Sequence, residues 1–280
     1  MQFDYSLEED FQLFKTLGML LSLLLILSTQ LLFPNRLAIR DLLSNWRVNI
    51  PLALINGGLM SLLCGACVCA WVVTVRTQKI GFFAFREFPN WFEVGATVVL
   101  LDFVAWIWHR ANHRWPLLWR FHAVHHSDRH FDASTAFRFH PGELFISLGV
   151  RLLIVTVTAL PLEGLIAFEV IFGFFNLLVH SDTRIPPHLE RLLGSIFVTP
   201  SLHRIHHSNR RSELDRNFGT IFSCWDRLAH TYRYAGPDTV VTPGLPSQDT
   251  DLGLKAAIGL PFKSRLTASA QSGKSENHPD

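Results

Sequence analysis

Long apolar runs, separated by shorter polar segments, dominate the first two thirds of the chain. A run of about 20 apolar residues is long enough to cross the ~30 Å hydrocarbon layer of a bilayer as a helix. A Pro and a Gly between the last two runs predict a tight connection, so that these two form a helical hairpin. The runs occupy residues 14–33, 51–75, 91–108, 144–160 and 165–179. We therefore predict an all-α integral membrane protein with about four to five transmembrane helices.

The same pattern divides the chain into three parts. Residues 1–90 are expected to form N-terminal membrane helices, and residues 91–240 a catalytic domain that contains the membrane hairpin at about 144–180. Residues 241–280 end in a polar stretch with Ser, Gly and Lys and no periodicity, which predicts a partly disordered C-terminal tail.

Arginines indicate the orientation in the membrane. Arg36, Arg40 and Arg47 lie between the first two runs, which by the positive-inside rule places that segment in the cytoplasm. Counting spans onward, residues 109–143 and 181–234 are then also cytoplasmic, and both contain further arginines. Basic residues between the second and third runs oppose this topology, and we expect that loop to lie along the interface. A bacterial inner membrane is the favoured location, with the endoplasmic reticulum as the alternative.

Composition supports a membrane protein and narrows its chemistry. Hydrophobic residues make up 49% of the chain and charged residues only 17%, below the quarter or so that is typical of soluble domains. The net charge of +2 gives no reason to expect a nucleic-acid partner. Histidine is the unusual residue: there are 14, and most of them are concentrated in short clusters.

Three histidine clusters have spacings that place their imidazoles on one face of a helix. The first is HxxxH, and the second and third are both HxxHH, with histidines at i, i+3 and i+4. Imidazole is a good ligand for iron, zinc and copper, and eight histidines exceed what one metal ion can bind. The clusters therefore predict a site for two metals. Their members are His109 and His113, then His122, His125 and His126, then His203, His206 and His207.

Looser candidates lie beside the clusters. His180 ends the fifth apolar run, one helical turn after Asn176, so it is a candidate ligand, with Asn176 as a ligand or as a group that supports one. Asp102 precedes His109 by seven residues on the same helical face. It can orient a ligand imidazole or form a hydrogen bond between membrane helices. For His140, a ligand role and an interfacial role are equally favoured.

At these residues the sequence resembles the membrane fatty acid hydroxylase/sterol desaturase superfamily, and most closely its sterol desaturase branch. The order HxxxH, HxxHH, hydrophobic hairpin, HxxHH carries the resemblance, together with Asn217-Phe-Gly219 and Trp225-Asp226. It implies a membrane base with a cytosolic helical cap that carries a histidine-rich dimetal site. It also implies a non-haem di-iron oxidoreductase, with two Fe ions and O₂ as co-substrate, that hydroxylates or desaturates an unactivated C–H bond of a membrane lipid. Sterols, hopanoids and fatty acyl lipids are candidate substrates, and hydroxylation is favoured.

The resemblance also has departures that affect the ligands and the partner. Where one branch of the family has a further HxxxH, this chain has Asn176 and His180, so either one ligand is lost or Asn176 serves in its place. No HPGG haem loop occurs, so electrons are expected from a separate cytochrome b5-, ferredoxin- or reductase-type donor.

Other functions compete with the oxygenase. A histidine-rich metal transporter would place its ligands along the spans, near the bilayer midplane. A zinc hydrolase would need a carboxylate near the clusters as general base, and Glu143 and Asp226 are the plausible ones. A di-haem cytochrome would need single histidines on facing helices and is disfavoured.

Overall fold

The computed structural model describes residues 5–85, 88–236, 239–246 and 248–263, with the backbone alone for 5–12 and 62–67. This part of the chain is helical and contains no strand beyond isolated bridges. The prediction of an all-α fold is therefore confirmed. The helices are α1 (Tyr5–Leu32), α2 (Ile39–Thr77), α3 (Asn90–Arg114), α4 (Pro116–His126), α5 (Pro141–Thr158), α6 (Leu162–His180), α7 (Pro187–Gly194), α8 (Pro200–His206), α9 (Arg211–Leu214), α10 (Cys224–Leu228) and α11 (Leu254–Gly259). Short 3₁₀ turns occupy Phe82–Ala84, Ala133–Phe137 and Leu260–Phe262.

Four of the described helices are long and apolar enough to cross a membrane: Leu13–Leu32 of α1, and all of α3, α5 and α6. The protein is therefore an integral membrane protein, as predicted. The second predicted span, 51–75, lies within α2, which is continuous over 39 residues. The side chains at 62–67, in the middle of that span, lie outside the described residues.

The long helices bring their ends to two levels. At one level, α1 and α6 end side by side, joined by a bridge between Pro34 and Thr183. At the other level, Arg76 near the end of α2 donates to the carbonyl of Ala159, just after α5, and pairs with Glu93 at the start of α3. Both histidine-rich regions consequently lie at the first level, as a shared site requires.

Small residues allow the membrane helices to approach closely. A Cβ atom on Gly18 of α1 would lie 2.7 Å from a methyl carbon of Val170 on α6, and one on Gly173 would lie 2.7 Å from Met19. Association of membrane helices depends on such close packing, because lipid tails are as apolar as the side chains they replace.

Short helices and loops form a cap over the first level. Proline occupies the first turn of α4, α5, α7 and α8, where its fixed φ favours helix initiation and its missing N–H costs nothing. The segment around α11 packs on this cap, with Leu245 and Ala257 buried against Trp119 of α4 and Leu52 of α2. The rest of the predicted tail, residues 264–280, lies outside the described residues.

Candidate metal centre

The structure brings the nine predicted histidines together where α3, α4, α6 and α8 meet. Eight are buried and His109 is half-buried. They form two groups, within each of which the candidate ligand atoms all lie within 4.8 Å of one another. The first group consists of His109, His113, His122, His126 and His206, and the second of His125, His180, His203 and His207.

Each HxxHH motif contributes to both groups. On α4, His122 and His126 belong to the first group and the intervening His125 to the second. The third motif divides in the opposite way, since His206 joins the first group while His203 and His207 join the second. Histidines at i and i+4 share a helical face, whereas the one at i+3 is turned aside from it, so one short helix can address two neighbouring ions.

Ring nitrogens within a group are spaced like ligands of one cation. The Nε2 atoms of His113 and His126 are 3.1 Å apart. In the second group, Nε2 of His180 lies 3.1 Å from Nε2 of His125 and 3.0 Å from that of His203. Two nitrogens bound at ~2.0–2.1 Å to one metal, at angles between 90° and tetrahedral, are separated by about 3 Å.

Backbone carbonyls fix the tautomers of His109 and His206. His109 donates from Nδ1 to the carbonyl of Phe218 at 2.8 Å, and His206 donates from Nδ1 to the carbonyl of Arg216 at 2.7 Å. Because a carbonyl oxygen only accepts, both Nδ1 atoms carry a proton and both Nε2 atoms present a lone pair towards the group. Such oxygen partners are what metal-binding histidines ordinarily have.

Asn176 supports His180 in the same way, through its main chain. His180 donates from Nδ1 to the carbonyl of Asn176 at 2.7 Å, while the Asn176 side chain donates to the carbonyl of Ala136 at 3.2 Å. Asn176 therefore orients His180, and its side chain holds the neighbouring segment.

A carboxylate supports His122. Glu143, at the start of α5, accepts from Nδ1 of His122 at 2.9 Å and from the Asn112 side chain at 3.0 Å, both through Oε1. All three residues are buried. The sequence indicated Glu143 only as a general base for a hydrolase, and no sequence pattern pointed to its contact with His122.

Buried nitrogen atoms without partners show that the residues fit a metal. The Nε2 atoms of His109, His122 and His206 are buried and have no hydrogen-bond partner among the described residues. Buried polar groups are nearly always satisfied, so three such lone pairs in one group are exceptional. A cation would satisfy all three, and imidazole donors suit iron, zinc or copper.

The histidines of the cap are held in the neutral form that binds metals. Burial lowers the pKa of His126 and His207 well below the usual value, and the charge of neighbouring imidazoles lowers it further. For His206, burial followed by the influence of His122 lowers the pKa to about 3. Since a metal binds the deprotonated ring, no proton has to be displaced near neutral pH.

Asp102 does not orient a histidine through the hydrogen bonds that the structure gives it. Its carboxylate accepts from the backbone amides of Ile221 and Phe222, each at 3.2 Å, and from the indole of Trp225 at 2.8 Å. It therefore fixes the segment before α10 against α3.

Asp226 supports His109 through the backbone, a role that the sequence did not indicate. It accepts from the amides of Phe218 and Gly219, and from the side chains of Trp106 and Thr231. The carbonyl of Phe218 is the one that accepts from His109. His140 lies outside both groups, and its Nδ1 accepts from the amide of Gly142, which caps α5.

Comparison with known proteins identifies related sequences for this region. The family model for fatty acid hydroxylase matches residues 94–231. An ornithine lipid hydroxylase of Rhizobium tropici is 30% identical over 182 residues, which is 64% of this chain and 51% of that protein. No solved structure matches.

Two animal proteins match over shorter regions. An alkylglycerol monooxygenase of Caenorhabditis elegans is 28% identical over 53% of this chain and 28% of its own length. Human cholesterol 25-hydroxylase is 30% identical over 49% of this chain and 50% of its own length. The matched region thus spans about half the length of these relatives, or less.

Proposed function

Residues 94–231 belong to the fatty acid hydroxylase family, and from this premise we propose that the protein is an O₂-dependent di-iron hydroxylase of a membrane lipid. The observation that carries the proposal is the pair of histidine groups, five and four residues, at the ends of membrane helices. The net reaction adds O₂, two electrons and two protons to a C–H bond and yields C–OH and water. Two bound irons would supply the redox chemistry of O₂ and C–H cleavage.

The residues of the chain hold and orient this site. His109, His113, His122, His126 and His206 would hold one iron, and His125, His180, His203 and His207 the other. Glu143 and the carbonyl oxygens behind the rings keep Nε2 of four histidines directed inward: His109, His122, His180 and His206. Burial of the imidazoles excludes water, which limits side reactions.

The substrate is proposed to be a bilayer lipid. The names of the relatives refer to ornithine lipid, alkylglycerol and cholesterol, which are all membrane lipids. The two levels of helix ends, with the histidines at one of them, suit a substrate that enters from the bilayer. We further propose that the site faces the cytoplasm of a bacterial inner membrane and that a separate donor supplies electrons.

The zinc hydrolase is less well supported, since its candidate bases have other roles. Asp226 accepts from four donors, and Glu143 accepts from His122 and Asn112. A transporter is disfavoured because the histidines lie together at one level instead of along the spans.

Isotope labelling tests the proposed function. Purified protein with iron, a chemical reductant and a panel of the three lipid classes is exposed to ¹⁸O₂, and products are analysed by mass spectrometry. The proposal predicts one ¹⁸O atom in a hydroxylated lipid, and no product from a variant with His122→Ala and His206→Ala. Label that enters only from H₂¹⁸O would contradict it and favour hydrolysis.

A further inference from the structure

A polar cavity of about 240 Å³ lies beside the cap, away from the histidines. It is bounded by the connection between α1 and α2, the segment after α6, and helices α7 and α8. Three arginines line it, Arg36, Arg184 and Arg204, with Glu190 as the acidic residue among its lining side chains.

Neighbours hold Arg36, Arg204 and Glu190 in place, and the three arginines outnumber the one acidic residue in the lining. Arg204 is buried and donates to the carboxylate of Asp182 at 2.8 Å, while Arg36 donates to the carbonyl of Thr239 at 2.9 Å. Glu190 is occupied by Ser201, from which it accepts two hydrogen bonds. Guanidinium groups held in place in this way suit a phosphate, which they can bind through paired N–H donors.

The cavity is separate from the metal centre. Ser201, Arg204 and Ile205 of α8 line it, whereas His203 and His206 of the same helix belong to the metal groups. At 100° per residue these two sets lie on opposite faces of α8. A ligand in the cavity would therefore be distinct from the lipid that reacts.

Its position corresponds to the headgroup layer of a membrane. The cavity begins three residues after the end of α1 and three after the end of α6. On α7, which begins seven residues after α6, Leu189, Leu192 and Leu193 form an exposed apolar face. An exposed face of this kind on a short amphipathic helix next to membrane spans is suited to lie in the interface.

We propose that this cavity binds the phosphate headgroup of an anionic phospholipid that is not the substrate. The positive charge of Arg36 and Arg184 and the interfacial level of α7 both support this ligand, while the charge of Arg204 is already balanced by Asp182. A basic pocket at the membrane surface is a recognised means of selecting anionic lipids. The bound lipid would hold the connection between α1 and α2 against α7 and α8.

Native mass spectrometry of the full chain in detergent tests the proposal. Phosphatidylglycerol, phosphatidylcholine and inorganic phosphate are added separately to three proteins: the natural sequence, R36Q/R184Q, and the control R40Q/R191Q. The control removes the same charge from exposed positions that do not line the cavity. Arg204 is left intact because Asp182 would lose its partner.

The expected result is preferential binding of phosphatidylglycerol that the cavity variant weakens by roughly thirtyfold and the control does not. Equal melting temperatures of the two variants establish that both are folded. Equal binding of the two lipids, or equal loss in both variants, would overturn the proposal. Displacement of the lipid by inorganic phosphate at the same concentration would assign the cavity to a free anion and overturn the lipid assignment.

Discussion

At the scale of single residues, oxygen atoms lie behind four imidazoles of the candidate metal centre. Carbonyls of Phe218, Arg216 and Asn176 each accept from one histidine, and Glu143 accepts from another. Each contact selects the tautomer whose Nε2 faces the metal, so loss of the oxygen is expected to weaken metal binding without removing a ligand.

Glu143→Leu is predicted to lower metal affinity by about ten- to a hundredfold, because His122 loses the acceptor that fixes its ring. Glu143→Gln is expected to restore part of it, since an amide oxygen still accepts from Nδ1. The amount of metal retained after dialysis against a chelator measures the metal affinity of both variants. The exposed Glu163→Gln on α6 is the control, and unchanged affinity in Glu143→Leu would contradict the role.

Asp226 and Asp102 form a matched pair of buried carboxylates with different predicted effects. Asn at either position removes an acceptor and leaves an amide facing a backbone N–H, which is expected to cost about 1–3 kcal/mol of stability. Only Asp226 holds the Phe218 segment behind His109. The melting temperature should therefore fall in both variants, while metal affinity should fall in Asp226→Asn alone. Equal metal loss in both would show that the effect is general destabilisation.

The nine histidines that the structure brings together could be predicted from the sequence, but their division into two groups could not. HxxHH places three rings on one side of a helix, which indicates metal binding whatever the partners are. Which ring joins which group depends on how α8 faces α4, and that is a matter of tertiary packing. The contact of Glu143 with His122 likewise depends on Gly142, where a Cβ would lie 2.7 Å from Phe121 of α4.

At the scale of helices, hydropathy predicted the membrane segments well and the extent of α2 poorly. Residues 39–50 lie outside the predicted apolar run 51–75, yet they belong to α2 and extend it into the cap. Asn45 and Asn49 explain the difference, because both are buried and both donate to the carboxylate of Asp128 at 3.0 Å. The hydropathy pattern cannot distinguish a buried polar residue, whose hydrogen-bond partner is a carboxylate distant in sequence, from an exposed polar residue of a loop.

An ion cluster joins three of the membrane helices and was not predicted. Glu169 of α6 pairs with Arg151 of α5 and, at 3.3 Å, with Lys15 of α1. Charged groups within spans are costly unless they are paired, so the cluster is expected to hold the three helices together.

Glu169→Gln should accordingly lower the stability of the detergent-solubilised protein by about 3 kcal/mol, since Arg151 and Lys15 lose the carboxylate that they share. The drop in melting temperature measures this effect, with Glu163→Gln as the control at the polar start of the same helix. Metal content per folded chain should not change, because Glu169 lies three helical turns from His180. A melting temperature equal to that of the natural sequence would show that the cluster does not stabilise the fold.

At the scale of the whole molecule, segments far apart in sequence assemble one site. Histidines come from the end of α3, from α4, from the last residue of α6, and from α8 with the residue that follows it. The hairpin of α5 and α6 returns the chain to the level of α3 and α4, which brings the third cluster to the first two. The sequence predicted that convergence from hydropathy and spacing, because an even number of spans separates the clusters. It did not predict the fold of residues 241–263, which lack a strong periodic pattern and are ordered by packing on α4.

The proposed function requires that each chain bind two irons in the two histidine groups. Elemental analysis combined with Mössbauer spectroscopy tests it most directly, on protein purified in detergent from cells grown with iron-57. We expect about two irons per chain, with the spectrum of a coupled pair, and loss of that spectrum in a variant with His125→Ala and His126→Ala. A single metal per chain, or zinc or copper in place of iron, would contradict it.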